Sequence, residues 1–273
     1  MLFSIITINR NNSAGLRQTM ESVAAQQNCD MEYVVVDGAS TDGSVEVIKQ
    51  YAALPRLKWV SEPDSGIYNA MNKGISMSEG DYVVFVNSGD TLVSPSVMQR
   101  LTRALAETGR PAILYGNIIK VWPDGRTLKG KGRKDPFTMF SFYRGTLDHP
   151  GTCIRRDLYD TYGMMDETMK ICSDWAWFMK AIVFGEEKPV YADIDTVYFD
   201  MTGISESSGK VRERLRNERR SVLKKSLPPL VLADYDRYAD DIIMINRLHR
   251  HPWAFKLVRF IERVLFKIER LKK

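Results

Sequence analysis

Four short apolar runs each end in side chains able to bind or react. Thr7, Asn9 and Arg10 close the run Leu2–Ile8, and Asp37 closes Tyr33–Asp37. Glu62 and Asp64 follow Leu57–Ser61, while Asn87 and Asp90 follow Tyr82–Val86. Carboxylates, amides and a guanidinium gathered at one rim can hold a polar ligand. Taken singly, Asp and Asn are ordinary turn formers. Their joint placement at the same end of four runs is harder to assign to turns alone. A later segment, Cys172-Ser-Asp-Trp-Ala-Trp-Phe178, sets Asp174 at the start of a helical pattern beside Trp175 and Trp177. An aspartate there gains from the helix dipole whatever its function, and aromatics at helical spacing often simply pack.

The elements that must position these residues alternate. The β-branched run Tyr33-Val-Val-Val-Asp37 has the continuous apolar character of a strand buried on both faces. Helical patterns run through Leu16, Met20 and Val23, through Val47, Ile48 and Tyr51 with Ser44 as expected N-cap, over Ile67–Met77, and from Pro95 to Glu107. The resulting β-α-β-α-β-α-β-α order predicts an α/β fold, a mostly parallel sheet flanked by helices, with ligands held beyond the carboxyl ends of its strands. After Ile113 strand-like runs take over, 113–121 and 126–131 across a Pro-Asp-Gly turn, followed by an aromatic-rich helix over Ser173–Phe184. From Glu206 charges dominate, Pro228-Pro229 breaks the chain, and the remainder is helical in pattern.

Composition narrows the classes. With 273 residues, 44% hydrophobic and 27% charged, the chain reads as a globular enzyme, not a disordered or collagen-like one. Cys29, Cys153 and Cys172 lack C-x-x-C spacing, which points to reduced thiols and away from disulfides or zinc. The first residues lack the features of a signal peptide, and no apolar stretch approaches the ~18 residues of a spanning helix. A cytoplasmic location is expected. The charge of +5 is concentrated in the tail: residues 246–273 hold nine Lys or Arg and two Glu, a net +7 against −2 for the rest. Within it Phe255, Val258, Ile261, Leu265 and Ile268 share one helical face, extended by Leu257, Phe260, Val264 and Leu271, with basic residues opposite. That is the pattern of an interfacial helix on an anionic membrane surface; packing on the protein itself or in a homo-oligomer is the other reading. Basic residues confined to one tail, with no recognition motif, argue against nucleic acid.

The segments Tyr33-Val-Val-Val-Asp-Gly-Ala-Ser-Thr-Asp-Gly-Ser44, Ser61-Glu-Pro-Asp-Ser-Gly-Ile-Tyr-Asn-Ala-Met-Asn-Lys-Gly74 and Gly80-Asp-Tyr-Val-Val-Phe-Val-Asn-Ser-Gly-Asp90 resemble, in order and spacing, the donor-site motifs of family-2 glycosyltransferases with a GT-A fold. The resemblance covers about residues 1–205. It implies a catalytic domain over 1–205, with a donor-binding half 1–110 and an acceptor half 111–205, followed by a helical extension 206–273.

What it further implies is inverting transfer of a sugar from a nucleoside-diphosphate donor to an acceptor hydroxyl. In the family the position of Asp37 holds the nucleotide base or ribose and that of Asp64 lies against the base. The position of Arg10 is often an aromatic stacked on uracil, a role a planar guanidinium can also take, and uridine is the first choice of base. An Asp-x-Asp type motif usually follows the fourth strand to hold a divalent cation. Here the stretch reads Asn87-Ser88-Gly89-Asp90, which leaves Asp90 as ligand for Mn²⁺ or Mg²⁺, with water and phosphate oxygens completing the shell, and Asn87 as a ribose or water-mediated contact. Asp174 matches the acidic residue expected to act as base, ahead of Asp148 and Asp166. His149, in Leu147-Asp-His-Pro150, is expected near the diphosphate or acceptor, and Lys73 near phosphate. The implied partners are a nucleotide sugar and a glycan or lipid-linked acceptor at the inner face of the cell membrane. Two other readings stay open: a sugar nucleotidyltransferase, although the Gly-rich phosphate loop such an enzyme needs after its first strand is missing, and a non-catalytic subunit that kept the fold.

Overall fold

The apolar runs become strands because they can bury both faces at once. In a computed structural model, which describes residues 1–130, 132, 135–202 and 209–271, the first half consists of β1 (Leu2–Asn9), α1 (Ser13–Ala24), β2 (Asp30–Asp37), α2 (Ser44–Gln50), β3 (Leu57–Ser61), α3 (Ile67–Met77) and β4 (Tyr82–Phe85). A two-residue strand β5 (Thr91–Leu92) and α4 (Val97–Glu107) complete it. The second half adds β6 (Ile113–Val121), β7 (Thr127–Gly130), α5 (Met139–Arg144), β8 (Cys153–Arg155), α6 (Asp157–Tyr162), α7 (Ser173–Met179), a π-helical turn (Lys180–Phe184), β9 (Val190–Asp200) and α8 (Gly209–Ser226).

The strands form one sheet in the order β3-β2-β1-β4-β8-β6-β9-β5, with β7 paired to β6. The first four are parallel, as their alternation with helices requires. Their register sets Asn9 beside Asp37 and Asp37 beside Ser61, so three polar residues form a row at one edge. Beyond β4 the sheet is mixed. β8 runs antiparallel between β4 and β6, β5 is antiparallel to β9, and β6 and β9 are parallel. β8 spans Cys153–Arg155, too short for its periodicity to announce it.

On one face of the sheet Phe3, Ile5, Tyr33, Val35 and Val84 pack with Leu16, Met20, Leu101 and Leu105 of α1 and α4. On the other, α3 approaches closely at Gly74, where a Cβ would sit 2.5 Å from Ile6 Cγ2. Two local expectations are corrected. Gly43, with φ of 93°, takes the N-cap position of α2, and Ser44 is the first helical residue, its hydroxyl donating to Asp42 Oδ1 at 2.6 Å. The expected helix Ser173–Phe184 changes pitch at Lys180, where Gly185 N–H reaches five residues back to the Lys180 carbonyl. The expected strand 126–131 is seen as Thr127–Gly130; Lys131 lies outside the described residues.

The chain divides into two compact units, Met1–Arg220 and Ser221–Lys273. The expected division at 205/206 lies within residues 203–208, which are not among those described; residues 209–220 belong to the first unit. The second unit holds α9 (Pro229–His249) and α10 (Pro252–Leu271). Along α10 Trp253, Leu257, Phe260, Ile261, Leu265 and Ile268 are exposed. The side chain of Leu271 and residues 272 and 273 lie outside the described part. Among the described residues no helix is long and apolar enough to cross a membrane.

Candidate active site

Asp37 anchors the rim. Its Oδ1 accepts from Asn9 Nδ2 at 2.7 Å and Ser40 Oγ at 2.5 Å, and its Oδ2 from Ser61 Oγ at 2.6 Å and the Ser40 amide at 2.9 Å. Burial opposes its charge, but the bonds from Ser40, Ser61 and Asn9 outweigh burial and hold the carboxyl below its ordinary range. Loops are stitched to it from both sides: the Asn11 amide donates to Ser40 Oγ, the Thr41 amide to Asn11 Oδ1, and the Ser13 amide, opening α1, to Asp42 Oδ2. Beside this frame a Cβ at Gly38 would lie 2.3 Å from Asp64 Oδ2 and 3.4 Å from Arg10 Cδ. Asp37, Asn9, Arg10 and Asp64 therefore share one place.

Thr7 and Lys73 are not brought to it. The Thr7 hydroxyl is fully buried, donates to the Val86 carbonyl at 2.6 Å and bonds the Tyr33 hydroxyl at 2.9 Å, a link between strands. Lys73 is engaged with Glu62 at 2.8 Å and the Pro63 carbonyl at 2.9 Å.

Asp90 has a partner that its own motif does not contain. Its Oδ1 accepts from the Asp200 amide at 2.9 Å, at the carboxyl end of β9, and the Asp200 carboxylate lies close by. Gly89, with φ of 103°, makes the approach feasible, since even a Cβ there would come within 3.0 Å of Asp200 Oδ2. Burial, reinforced by the Asp200 charge and only partly countered by backbone N–H groups, pushes the Asp90 carboxyl up to about 7. Two oxygen-donor side chains of like charge at one point match what a hard divalent cation would neutralise. Among the described residues no group of three or more His, Cys, Asp or Glu is arranged to share a metal ion.

A cleft of about 260 Å³ opens between Asn87, His149, Asp174 and Arg219, walled by Tyr68, Met71, Trp175 and Phe199. Asp174 lies in the first turn of α7, and its Oδ1 accepts from the Tyr68 hydroxyl at 3.0 Å. The α3 face that carries Tyr68 is fastened to this half: Asn72 exchanges bonds with the Met165 backbone at 2.9 and 3.0 Å, and Asn69 donates to Glu167 at 2.9 Å. His149 stacks between Phe85 and Phe178, with ring centroids 4.7 and 5.7 Å away. Burial lowers its pKa against the opposing charge of Asp174, which favours the neutral ring, and among the described residues its Nε2 has no hydrogen-bond partner. Asn87 Oδ1 and Asn9 Oδ1 are also buried and have no partner among the described residues. Such atoms are costly unless a ligand or water completes them. Asp148 lines the same cleft, whereas Asp166 accepts from the Thr168 amide and hydroxyl and shapes a turn.

The family model for glycosyl transferase family 2 matches residues 4–167. The chain belongs to this family. An uncharacterized glycosyltransferase of Mycobacterium tuberculosis is 31% identical over 205 residues, covering 74% of this chain and 76% of the relative. A PGL/p-HBAD biosynthesis glycosyltransferase of Mycobacterium bovis is 27% identical over 176 residues, 64% of this chain and 67% of its own. Among solved structures, Staphylococcus aureus TarS 1-349 in complex with UDP-GlcNAc superimposes with a TM-score of 0.63 at 22% identity, over 92% of this chain and 72% of that one. The mannosyltransferase PcManGT from Pyrobaculum calidifontis, in complex with GDP-Man and Mn²⁺, gives 0.60 at 15% identity, over 93% and 72%. The fold of this family-2 glycosyltransferase is GT-A.

Sequence reasoning missed Asp200, Tyr68 and Arg219. Asp200 ends a strand and follows the same strand-end rule as Asp37, so β9, had it been recognised, would have revealed it. Tyr68 lies inside a motif whose neighbours drew the attention. Arg219 stands in a highly charged helix and carries no local signal.

Proposed function

We propose that this glycosyltransferase moves a sugar from a nucleoside-diphosphate donor, a UDP-sugar, to an acceptor hydroxyl with inversion at the anomeric carbon. The row Asn9–Asp37–Ser61, with Arg10 and Asp64 beside it, carries the reading: an ionised carboxylate held rigidly at the carboxyl edge of a parallel sheet is suited to a nucleoside's hydrogen-bonding edge. Asp37, Asn9 and Asp64 hold base and ribose, and the Arg10 guanidinium stacks on the base. The UDP-GlcNAc and GDP-Man complexes named for two structural neighbours support a nucleotide sugar at this edge.

In the cleft the acceptor hydroxyl attacks the anomeric carbon as the bond to the diphosphate breaks, and Asp174 takes the hydroxyl proton. The Tyr68 hydroxyl holds one oxygen of Asp174 and fixes its orientation. His149 and Asn87 each offer substrate an atom that no described residue partners. Asp90 and Asp200 would hold a divalent cation, Mn²⁺ or Mg²⁺, which when bound neutralises charge on the departing diphosphate.

The acceptor in this reading is a lipid-linked glycan of surface polysaccharide biosynthesis, and α10 lies on the anionic inner face of the cell membrane, the protein being cytoplasmic. Support comes from the exposed apolar residues of α10 alternating with Lys and Arg and from the similarity to a PGL/p-HBAD biosynthesis glycosyltransferase. A donor screen following UDP and GDP release, with and without Mn²⁺ or Mg²⁺, tests the transfer; pyrophosphate release from a nucleoside triphosphate and sugar phosphate would instead mark a nucleotidyltransferase. Cosedimentation with anionic vesicles, comparing the full chain with one ending at Leu248, tests the tail. Equal pelleting would refute membrane binding, and a change of oligomeric state on truncation would assign the helix to a second copy.

A further inference from the structure

Two cations line the cleft and have no task in the reaction as proposed: Lys120 on β6 and Arg219 on α8. Among the described residues neither makes an ion pair or donates a side-chain hydrogen bond, although Lys120 feels the charge of Asp148. The Nε of Arg219 is buried and has no hydrogen-bond partner among the described residues. Burial lowers the pKa of its guanidinium against the opposing influence of Cys172, Asp174 and Tyr68. A half-buried cation with no anion paired to it among the described residues is costly to keep.

The position of Arg219 is built, not incidental. Its guanidinium carbon lies 5.2 Å from the centre of the Trp175 ring. That ring is locked in turn, because Trp175 Nε1 donates to the Phe142 carbonyl at 3.0 Å and the Gly145 carbonyl at 2.9 Å. The preceding residue, Glu218, clamps α8 to the segment that opens α7. Its Oε1 accepts from the Lys170 amide at 3.0 Å, and its Oε2 from the amides of Ile171 and Cys172 at 3.0 and 3.3 Å. One helical turn thus orders the loop before Asp174 and sets a cation into the cleft that Asp174 lines.

We propose that Arg219, with Lys120, forms a phosphate-binding edge of the cleft, a site supplied by α8 beyond the part of the chain that the family model matches. A planar guanidinium with a free N–H suits two oxygens of one phosphoryl group. Two sources present that chemistry there, the diphosphate of the donor and a phosphate carried by the acceptor. Linking the phosphate to a substrate rests on the proposed transfer reaction; the binding itself does not.

The test is titration of the full chain, by calorimetry, with UDP, GDP, uridine and guanosine, and with inorganic phosphate followed by ³¹P line broadening. Wild type is compared with Arg219→Gln, Arg219→Lys and Lys120→Gln, each verified as folded by its melting temperature. If the donor is the source, Arg219→Gln weakens UDP about tenfold to a hundredfold, the worth of a charge-assisted hydrogen bond, leaves uridine unchanged, and Arg219→Lys falls between. If the acceptor is the source, UDP is unaffected, but phosphate broadening on the UDP-saturated chain is lost in Arg219→Gln and reduced in Lys120→Gln. Nucleotide and phosphate binding both equal to wild type in Arg219→Gln overturns the proposal. A wild-type chain that binds no nucleotide refutes the donor reading alone, and phosphate binding to the nucleotide-free chain then decides whether Arg219 is an anion site.

Discussion

At the carboxyl ends of β1, β2 and β3, Asp37 accepts four hydrogen bonds from Asn9, Ser40 and Ser61, whereas in the cleft beside α7 the Nε2 of His149, Oδ1 of Asn87 and Nε of Arg219 are buried and have no partner among the described residues. The first region is a finished frame, with Asn9 Oδ1 its one unpartnered buried atom among the described residues. The second leaves polar atoms unsatisfied among the described residues. A frame whose polar groups satisfy one another costs little to keep rigid and can orient a nucleotide without rearranging. Groups left unsatisfied are where binding gains most, and they surround Asp174.

The sharpest way to separate the two regions is Asp174→Asn. Sugar transfer should fall by roughly 10²–10⁴-fold, the usual worth of a positioned general base, with nucleotide affinity unchanged by calorimetry. Asp37→Ala should do the reverse at the frame: it strands the donors of Asn9, Ser40 and Ser61, costs about 1–3 kcal/mol in urea unfolding, and abolishes nucleotide binding. Gly38→Ala is a milder disturbance of the same frame. Its Cβ would meet Asp64 Oδ2 at 2.3 Å, and displacing that side chain should weaken UDP about tenfold, or some 1.4 kcal/mol.

The smallest effect concerns pH. Burial pushes the Asp90 carboxyl up to about 7 in the folded chain, against 3.8 ordinarily. Between those values the folded state holds a proton that the unfolded state has released, so this group's contribution to stability declines as pH rises from about 4 to about 7 and is level above. Asp90→Asn should remove that slope from melting temperatures measured across the range. Mn²⁺ should raise the wild-type melting temperature more at pH 8, where Asp90 is ionised, than at pH 5.

The frame was legible in the sequence because each of its members closes a strand and the register of parallel strands is set locally. Asn9, Asp37 and Asp64 could be placed together from the β-α alternation alone. The cleft was less so. Asp174 follows from the resemblance, but Asp200 meets Asp90 through the non-local pairing of β5 with β9, and Arg219 comes from a helix far along the chain, neither of which a local pattern encodes. Lys73 shows the converse: its motif is clear, yet Glu62 lies near enough to claim it. Thr7 was read as a rim residue from its place near a strand end, but its side chain turns inward to Tyr33 and Val86.

On the proposed reaction, recognition resides in the frame and chemistry in the cleft. The most direct test of this division is a pair of calorimetric titrations with UDP on folded Asp37→Asn and Asp174→Asn chains, run beside wild type. Asp174→Asn should bind UDP as wild type does, and Asp37→Asn should lose it. Loss of UDP in Asp174→Asn with retention in Asp37→Asn would contradict the division.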